Sequence, residues 1–138
     1  MNNKIKYWIN KMSRLLKIIP PRVVFIYDSP SFYSSMVLHI HVYHEYEKTL
    51  FLALHELRHY YQEIYMNTHN NEKALLIKYE MNHYHAKDYK SLFIERDAYS
   101  FAYYVMLHFI HIDYKPSLDV KEMIFNFEKN FMLILDEF

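Results

Sequence analysis

Residues 55–59 form the H-E-x-x-H arrangement, reading His55, Glu56, Leu57, Arg58 and His59. On a helix, side chains four positions apart lie one above the other, with Cβ atoms about 5–6 Å apart, so both imidazoles can reach one zinc ion. The carboxylate of Glu56 would lie beside the first ligand, where it can act as a general base on a metal-bound water. The pattern therefore predicts a zinc site with hydrolytic chemistry.

A catalytic zinc site usually has three protein ligands and an open position for water, so a third ligand is needed. The chain has no cysteine, which leaves only histidines and carboxylates for this role. The elongated metzincin pattern is excluded, because Gln62 stands at its glycine position and Tyr65 at its third histidine position. The residues leave four candidates open, namely Glu80, Glu95, His83 and His85.

The composition excludes several other classes of function. The 138 residues fit one domain, 1–138, and the 16 basic residues balance the 16 acidic ones, so direct binding of nucleic acid is not expected. Glycine is absent, which excludes the glycine-rich loops that bind phosphate groups. With 52% apolar residues the chain can bury a core. We expect one soluble domain with one site.

The apolar pattern predicts an α+β fold that is mostly helical, with a small sheet near the N-terminus. A helical stripe precedes two prolines in the first segment, and β-branched and alternating runs predict strands over residues 23–27 and 36–43. Helices are predicted at 48–66, at about 74–79, at 92–112 with Ser91 as cap, and at 118–135, with a loop at 67–72. The first stripe consists of Ile5, Trp8, Ile9, Met12, Leu15, Leu16 and Ile19, and the inner face of the last helix of Val120, Ile124, Phe127, Phe131 and Leu135.

The helix predicted at 48–66 carries the candidate ligands on a face of its own. Its apolar stripe consists of Phe51, Leu54, Leu57, Tyr61 and Ile64 or Tyr65. Positions 55, 56 and 59 lie off this stripe, so the helix can pack against the core while the ligands open into a cleft.

Two further features allow both a functional and a structural interpretation. Residues 1–22 contain six basic side chains and no acidic one, which suits a membrane surface or an acidic partner, although packing of the stripe on the core is the commoner outcome. His39 and His41 alternate on one strand and could bind a metal, but two histidines on the outer face of a strand are more often solvated. We expect the structural interpretation for both.

The chain lacks features of secretion and of membrane insertion. Its N-terminal segment has a charge in nearly every turn, so it has no apolar stretch of the kind a secretory signal needs. The longest uncharged run, 98–112, has 15 residues, short of the roughly 20 that span a bilayer. We expect a cytoplasmic protein with no transmembrane segment.

Two segments carry a resemblance to a known family. TLFLALHELRHYYQ, followed by a helix that begins IERDAYSFAYYVM, resembles the ImmA/IrrE family of zinc metallopeptidases, in which an H-E-x-x-H helix precedes an E-x-x-A-x-x-F-A helix. The resemblance implies a zincin-like fold, with His55, His59 and Glu95 as zinc ligands and Glu56 as catalytic base. It further implies a protein substrate, commonly a DNA-binding repressor. The chain departs from the family at Arg58, where glycine is common, and at Tyr99, where Asn or Asp is common.

Two hypotheses about function follow. The first is an intracellular zinc-dependent peptidase, and the alternative is a catalytically inactive zinc-binding domain that holds a partner in the same cleft. Asp97 and Asp88 are candidate acceptors for the outer N–H of a ligand histidine. Candidates to stabilise the oxyanion are Tyr84, Tyr99, Tyr103, His83 and His85.

Overall fold

The computed structural model, which describes residues 1–125, contains one helix, three short strands and then a series of helices. The α-helices are α1 Asn2–Leu15, α2 Tyr46–Thr68, α3 Glu72–Asn82, α4 Phe93–Val105 and α5 Leu118–Phe125. The strands are β1 Arg22–Ile26, β2 Phe32–Ser34 and β3 Val37–His41. A 3-10 turn, Ala86–Ser91, precedes α4, and a π-helical turn, Met106–Ile110, follows it. The predicted α+β class, mostly helical with a small sheet near the start, is confirmed.

The three strands form one sheet in the order β1-β3-β2, in which β3 is parallel to β1 and antiparallel to β2. The strand β2 was not predicted from the sequence, because it has only three residues and its turn into β3 contains no glycine. That turn instead places Ser35 and Met36 at positive φ, 51° and 66°. As an edge strand, β2 has one row of backbone N–H and C=O groups that points away from β3.

The core lies between the sheet and the helices. The α1 stripe packs into it through Ile5, Ile9 and Met12, which are fully buried, whereas Ile19 is 75% exposed because α1 ends at Leu15. The predicted stripe is therefore correct for the helix and wrong for its last member. Other fully buried members of the core are Leu38 and Ile40 of β3, Leu50, Leu54 and Leu57 of α2, and Phe101 of α4.

Several predicted boundaries needed correction. The helix predicted at 48–66 extends over Tyr46–Thr68, and the loop predicted at 67–72 shrinks to three residues because Asn71 caps α3 by accepting the N–H of Ala74 at 2.9 Å. The helix predicted at 92–112 is α-helical only to Val105, and Ser91 does not cap it. Of the helix predicted at 118–135, α5 is present, and the part beyond residue 125 lies outside the described residues.

Within residues 1–125, no helix is both long and apolar enough to cross a membrane.

Candidate metal centre

The helices α2 and α4 lie side by side and bring His55, His59 and Glu95 together. One potential ligand atom from each residue lies within 4.8 Å of the other two, and in the part of the chain that the structure describes this is the one group of that kind. The Glu95 Oε1 atom lies 3.1 Å from His55 Nε2 and 2.6 Å from His59 Nε2. Two imidazole nitrogens and a carboxylate oxygen that converge in this way could hold a metal ion.

The site is buried, and its charges are strongly coupled. His55 and Glu95 are 5% and 7% exposed. Burial by itself would lower the pKa of His55, but its hydrogen bonds to Glu56 and Glu95 raise that pKa to about 9. Burial would raise the pKa of Glu95, but hydrogen bonds from His55 and His59 hold it well below its usual range. Charge-assisted hydrogen bonds thus join the same atoms that could bind a metal ion.

Glu56 lies beside the ligands without belonging to the group of three. Its Oε1 atom is 3.2 Å from His55 Nδ1, and the residue is 7% exposed. Its side chain lines the same cleft as the ligands. A carboxylate in this place can exchange a proton with a molecule bound at the metal centre.

The site opens into a cleft of about 660 Å³ between α2, α4 and the edge strand β2. Phe32, Tyr33 and Ser34 of β2 form one wall, and the ligands form part of the other. This volume lies within the range of pockets that hold small molecules or a few residues of a peptide.

The other candidates for the third ligand have different roles or places. Glu80 accepts the backbone N–H groups of Phe93 and Ile94 at 3.0 and 2.9 Å, so its carboxylate caps the N-terminus of α4. His83 is exposed, stacks on Tyr79 and bonds to that residue's carbonyl group, and His85 is exposed as well.

Of the three tyrosines that are candidates to stabilise the oxyanion, two line the cleft and one does not. The Tyr84 hydroxyl group donates to Glu95 Oε2 at 3.0 Å, and the Tyr99 ring stacks on His55 with centroids 4.1 Å apart. Both tyrosines line the cleft, and burial raises the pKa of both phenols. Tyr103 bonds instead to Asp113 and does not line the cleft.

Behind the ligands lies a buried polar network that the sequence did not predict. Arg58 forms a bidentate ion pair with Asp97, Nε to Oδ2 at 2.7 Å and Nη2 to Oδ1 at 3.1 Å. Burial would raise the pKa of Asp97, but the positive charge of Arg58 lowers it. Gln62 donates to the same Asp97 oxygen at 2.8 Å, and its Oε1 atom lies 2.9 Å from His59 Nδ1. The signal in the sequence was the spacing of Gln62, three residues after a ligand on the same helix.

Neither of the two candidate acceptors, Asp97 and Asp88, makes a direct hydrogen bond to His55 or His59 among the described residues. Asp97 reaches His59 only through Gln62, and Asp88 is exposed in the 3-10 turn, with no hydrogen bond to a ligand histidine among the described residues. Arg58, which replaces a common glycine of the resembled family, fills the contact between α2 and α4 and is fully buried.

Among residues 1–125, the two histidines of β3 are not part of the group that could hold a metal ion. The His39 ring stacks on Phe32 with centroids 4.2 Å apart, and His41 Nδ1 lies 2.7 Å from the carbonyl oxygen of Ser29. Both residues are half-buried, so they stabilise the hairpin and the loop before it.

Comparison of the chain with protein-family models, with curated proteins and with solved structures found no match.

Proposed function

We propose that this protein is a zinc-dependent peptidase that hydrolyses a peptide bond in a protein substrate. The observation that carries the proposal is the convergence of His55, His59 and Glu95 with a separate carboxylate, Glu56, at their side in an open cleft. A purely structural zinc site is usually closed by four protein ligands and needs no such carboxylate. Two histidines and a glutamate are one of the ligand sets of catalytic zinc sites, and the H-E-x-x-H spacing supports zinc as the metal.

Each residue of the site would have its own role in the reaction. Zinc, when bound by His55, His59 and Glu95, supplies Lewis-acid chemistry, polarising the scissile carbonyl group and acidifying water. Glu56 would take the proton of the attacking water and pass it to the leaving amine. The single O–H of Tyr84 donates to Glu95 Oε2 at 3.0 Å, so Tyr84 would stabilise an oxyanion only after leaving that carboxylate.

The form of the cleft supports a peptide as substrate. The free edge of β2 lies in one wall, and an extended peptide can pair with such an edge through its backbone groups. The resemblance of the two motifs to the ImmA/IrrE family supports a DNA-binding repressor as the protein cleaved, and we keep the cytoplasm as the predicted location.

One contact favours the alternative, a zinc-binding domain that holds a partner without cleaving it. The Glu56 carboxylate lies 3.2 Å from His55 Nδ1, and a base engaged in this way is less available to water. Both functions use the same metal site and the same cleft, so a test must separate hydrolysis from binding.

The test combines metal analysis with a cleavage assay. Purified native protein should contain one zinc ion per chain, and His55→Ala should lose it, whereas Glu56→Gln should keep it. Co-expression with candidate repressors from the same genetic neighbourhood should yield fragments with the native protein and none with Glu56→Gln. Because loss of a general base typically costs about 10²- to 10⁴-fold in rate, the difference should be plain. Absence of zinc from the native protein would refute both functions, and binding of a repressor without cleavage would favour the alternative.

A further inference from the structure

A continuous chain of hydrogen bonds leads from the ligand His59 into the core. It passes from His59 Nδ1 to Gln62 Oε1 at 2.9 Å, from Gln62 Nε2 to Asp97 Oδ2 at 2.8 Å, and ends at the Arg58 guanidinium group. Gln62, Asp97 and Arg58 are 1%, 2% and 0% exposed. Buried polar groups in such a chain must keep their partners, so each member restricts the orientation of the next.

This chain of hydrogen bonds determines that His59 Nδ1, the ring nitrogen that faces Gln62, carries a hydrogen. The Gln62 amide nitrogen already donates to two acceptors, Asp97 Oδ2 and the carbonyl oxygen of Ile94 at 2.9 Å, so its oxygen must face His59. An amide oxygen only accepts hydrogen bonds, and His59 Nδ1 must therefore be the donor. His59 Nε2 faces Glu95 Oε1 at 2.6 Å, and with hydrogen on Nδ1 it is Nε2 that can give its lone pair to a metal ion in place of that hydrogen bond.

Arg58 holds the far end of the chain in place. Its planar guanidinium group binds both Asp97 oxygens, and it packs over the rings of Tyr61 and Phe101 at 4.5 and 5.1 Å. A fork of this kind fixes the plane of the carboxylate as well as its position. Asp97 lies two residues after Glu95 on α4, so the same pair also sets α4, and its ligand, against α2.

We propose that Gln62 is a positioning residue that holds His59 in its metal-binding tautomer and orientation, and that the Arg58–Asp97 pair anchors it. This inference rests on the proposed metal site. It assigns a function to Arg58, whose burial inside the H-E-x-x-H segment otherwise has only a packing role.

The test compares two variants that each remove buried hydrogen bonds from α2. Gln62→Met keeps the size of the side chain but removes the acceptor for His59 Nδ1. Thr49→Val is the matched control, because Thr49 is fully buried in the first turn of α2, 13 residues before Gln62, and its Oγ1 atom accepts the N–H of Tyr43 at 2.9 Å. Zinc affinity is measured by competition with a chromophoric chelator, the spectrum of the Co²⁺ form reports ligand geometry, and urea unfolding reports metal-free stability.

Gln62→Met should weaken zinc binding about 10- to 100-fold and shift the Co²⁺ absorption bands. Thr49→Val should lower stability while leaving the zinc affinity and the Co²⁺ bands unchanged. Equal zinc affinities in native protein and Gln62→Met, or equal losses in both variants, would overturn the positioning role and leave the proposed function intact. A native protein that binds no zinc would overturn the proposed function itself.

A second variant keeps the proposal testable if Gln62→Met does not fold. Arg58→Lys retains the buried positive charge but cannot bind both Asp97 oxygens in the same fork. It should weaken zinc binding several-fold by loosening Asp97 and, through it, Gln62. An unchanged zinc affinity in a folded Arg58→Lys protein would overturn the anchoring role.

Discussion

The carboxylate of Glu80 accepts the backbone N–H of Phe93 at 3.0 Å and so joins the end of α3 to the first turn of α4. The other oxygen of the same carboxylate accepts the next N–H of that turn at 2.9 Å. The first N–H groups of a helix have no partner within the helix, and a negative charge there also suits the helix dipole. Glu80 thus caps α4, the helix that contains Glu95, and it does not belong to the group of residues that could hold a metal ion.

The first prediction separates these two glutamates. Glu80→Ala should lower the free energy of unfolding by about 1–2 kcal/mol, the range for loss of a helix cap, and should still bind one zinc ion per chain. Glu95→Ala should lose the zinc, because it removes a ligand. Urea unfolding and metal analysis of the two purified variants provide the measurements. Loss of zinc from Glu80→Ala but not from Glu95→Ala would show that the third ligand is misassigned.

A second prediction concerns the buried ion pair between Arg58 and Asp97. Asp97→Ala leaves a fully buried guanidinium group without its carboxylate, which should cost about 3–5 kcal/mol of stability. The double variant Arg58→Met with Asp97→Leu removes both charges and should recover most of that loss. Equilibrium unfolding in urea gives both values. An Asp97→Ala protein as stable as the native one would show that the ion pair does not stabilise the fold.

A third prediction follows from the raised pKa of His55. That pKa is about 9 in the folded, metal-free protein, against about 6.5 for an unperturbed histidine. A group whose pKa is raised on folding stabilises fully below the unfolded value, and this stabilisation disappears as the pH rises through the folded value. The melting temperature of metal-free protein should therefore fall between pH about 6.5 and about 9.

Zinc should reverse that trend, since ligand histidines must be free of the proton on the binding nitrogen. The increase in melting temperature on adding zinc should grow over the same pH interval and shrink below about 6.5. Thermal unfolding with zinc or with a chelator measures both trends, and in His55→Gln both should weaken. A zinc increment that is constant down to acid pH would mean that histidines do not hold the metal.

A fourth prediction concerns the turn between β2 and β3. Met36 has a backbone φ of 66°, in the left-handed region, and its side chain buries little surface because the residue is 57% exposed. Glycine has no Cβ and adopts this conformation freely, so Met36→Gly should stabilise the protein by about 0.5–1 kcal/mol. Met36→Ala keeps the Cβ and should give no such gain. Melting temperatures of the two variants, measured side by side, test the turn; equal values would argue against a left-handed Met36.

Local periodicity accounts for the part of this protein that could be predicted from its sequence. The helical repeat of apolar residues predicted α2 to within two residues at each end, and with it the placement of His55 above His59. Strict alternation predicted β3 and its buried residues Leu38 and Ile40. These patterns arise because every second residue of a strand, or every third to fourth of a helix, faces the core, so they can be predicted without knowing which distant residues pack there. Where the pattern was too short, as in the three residues of β2, nothing in the sequence indicated the strand.

The resemblance of the two motifs implied Glu95 among the four candidate ligands, and only the packing of α4 against α2 brings it to the two histidines. Glu95 meets the two histidines across a separation of 40 residues from His55, and Arg58 meets Asp97 across 39. Local propensity does not encode these contacts, because they depend on how α3 and the 3-10 turn after it place α4 against α2. The residue types and their spacing predicted a possible metal site at His55 and His59, and the packing of two helices brings Glu95 to these histidines and Gln62 to a hydrogen bond with His59.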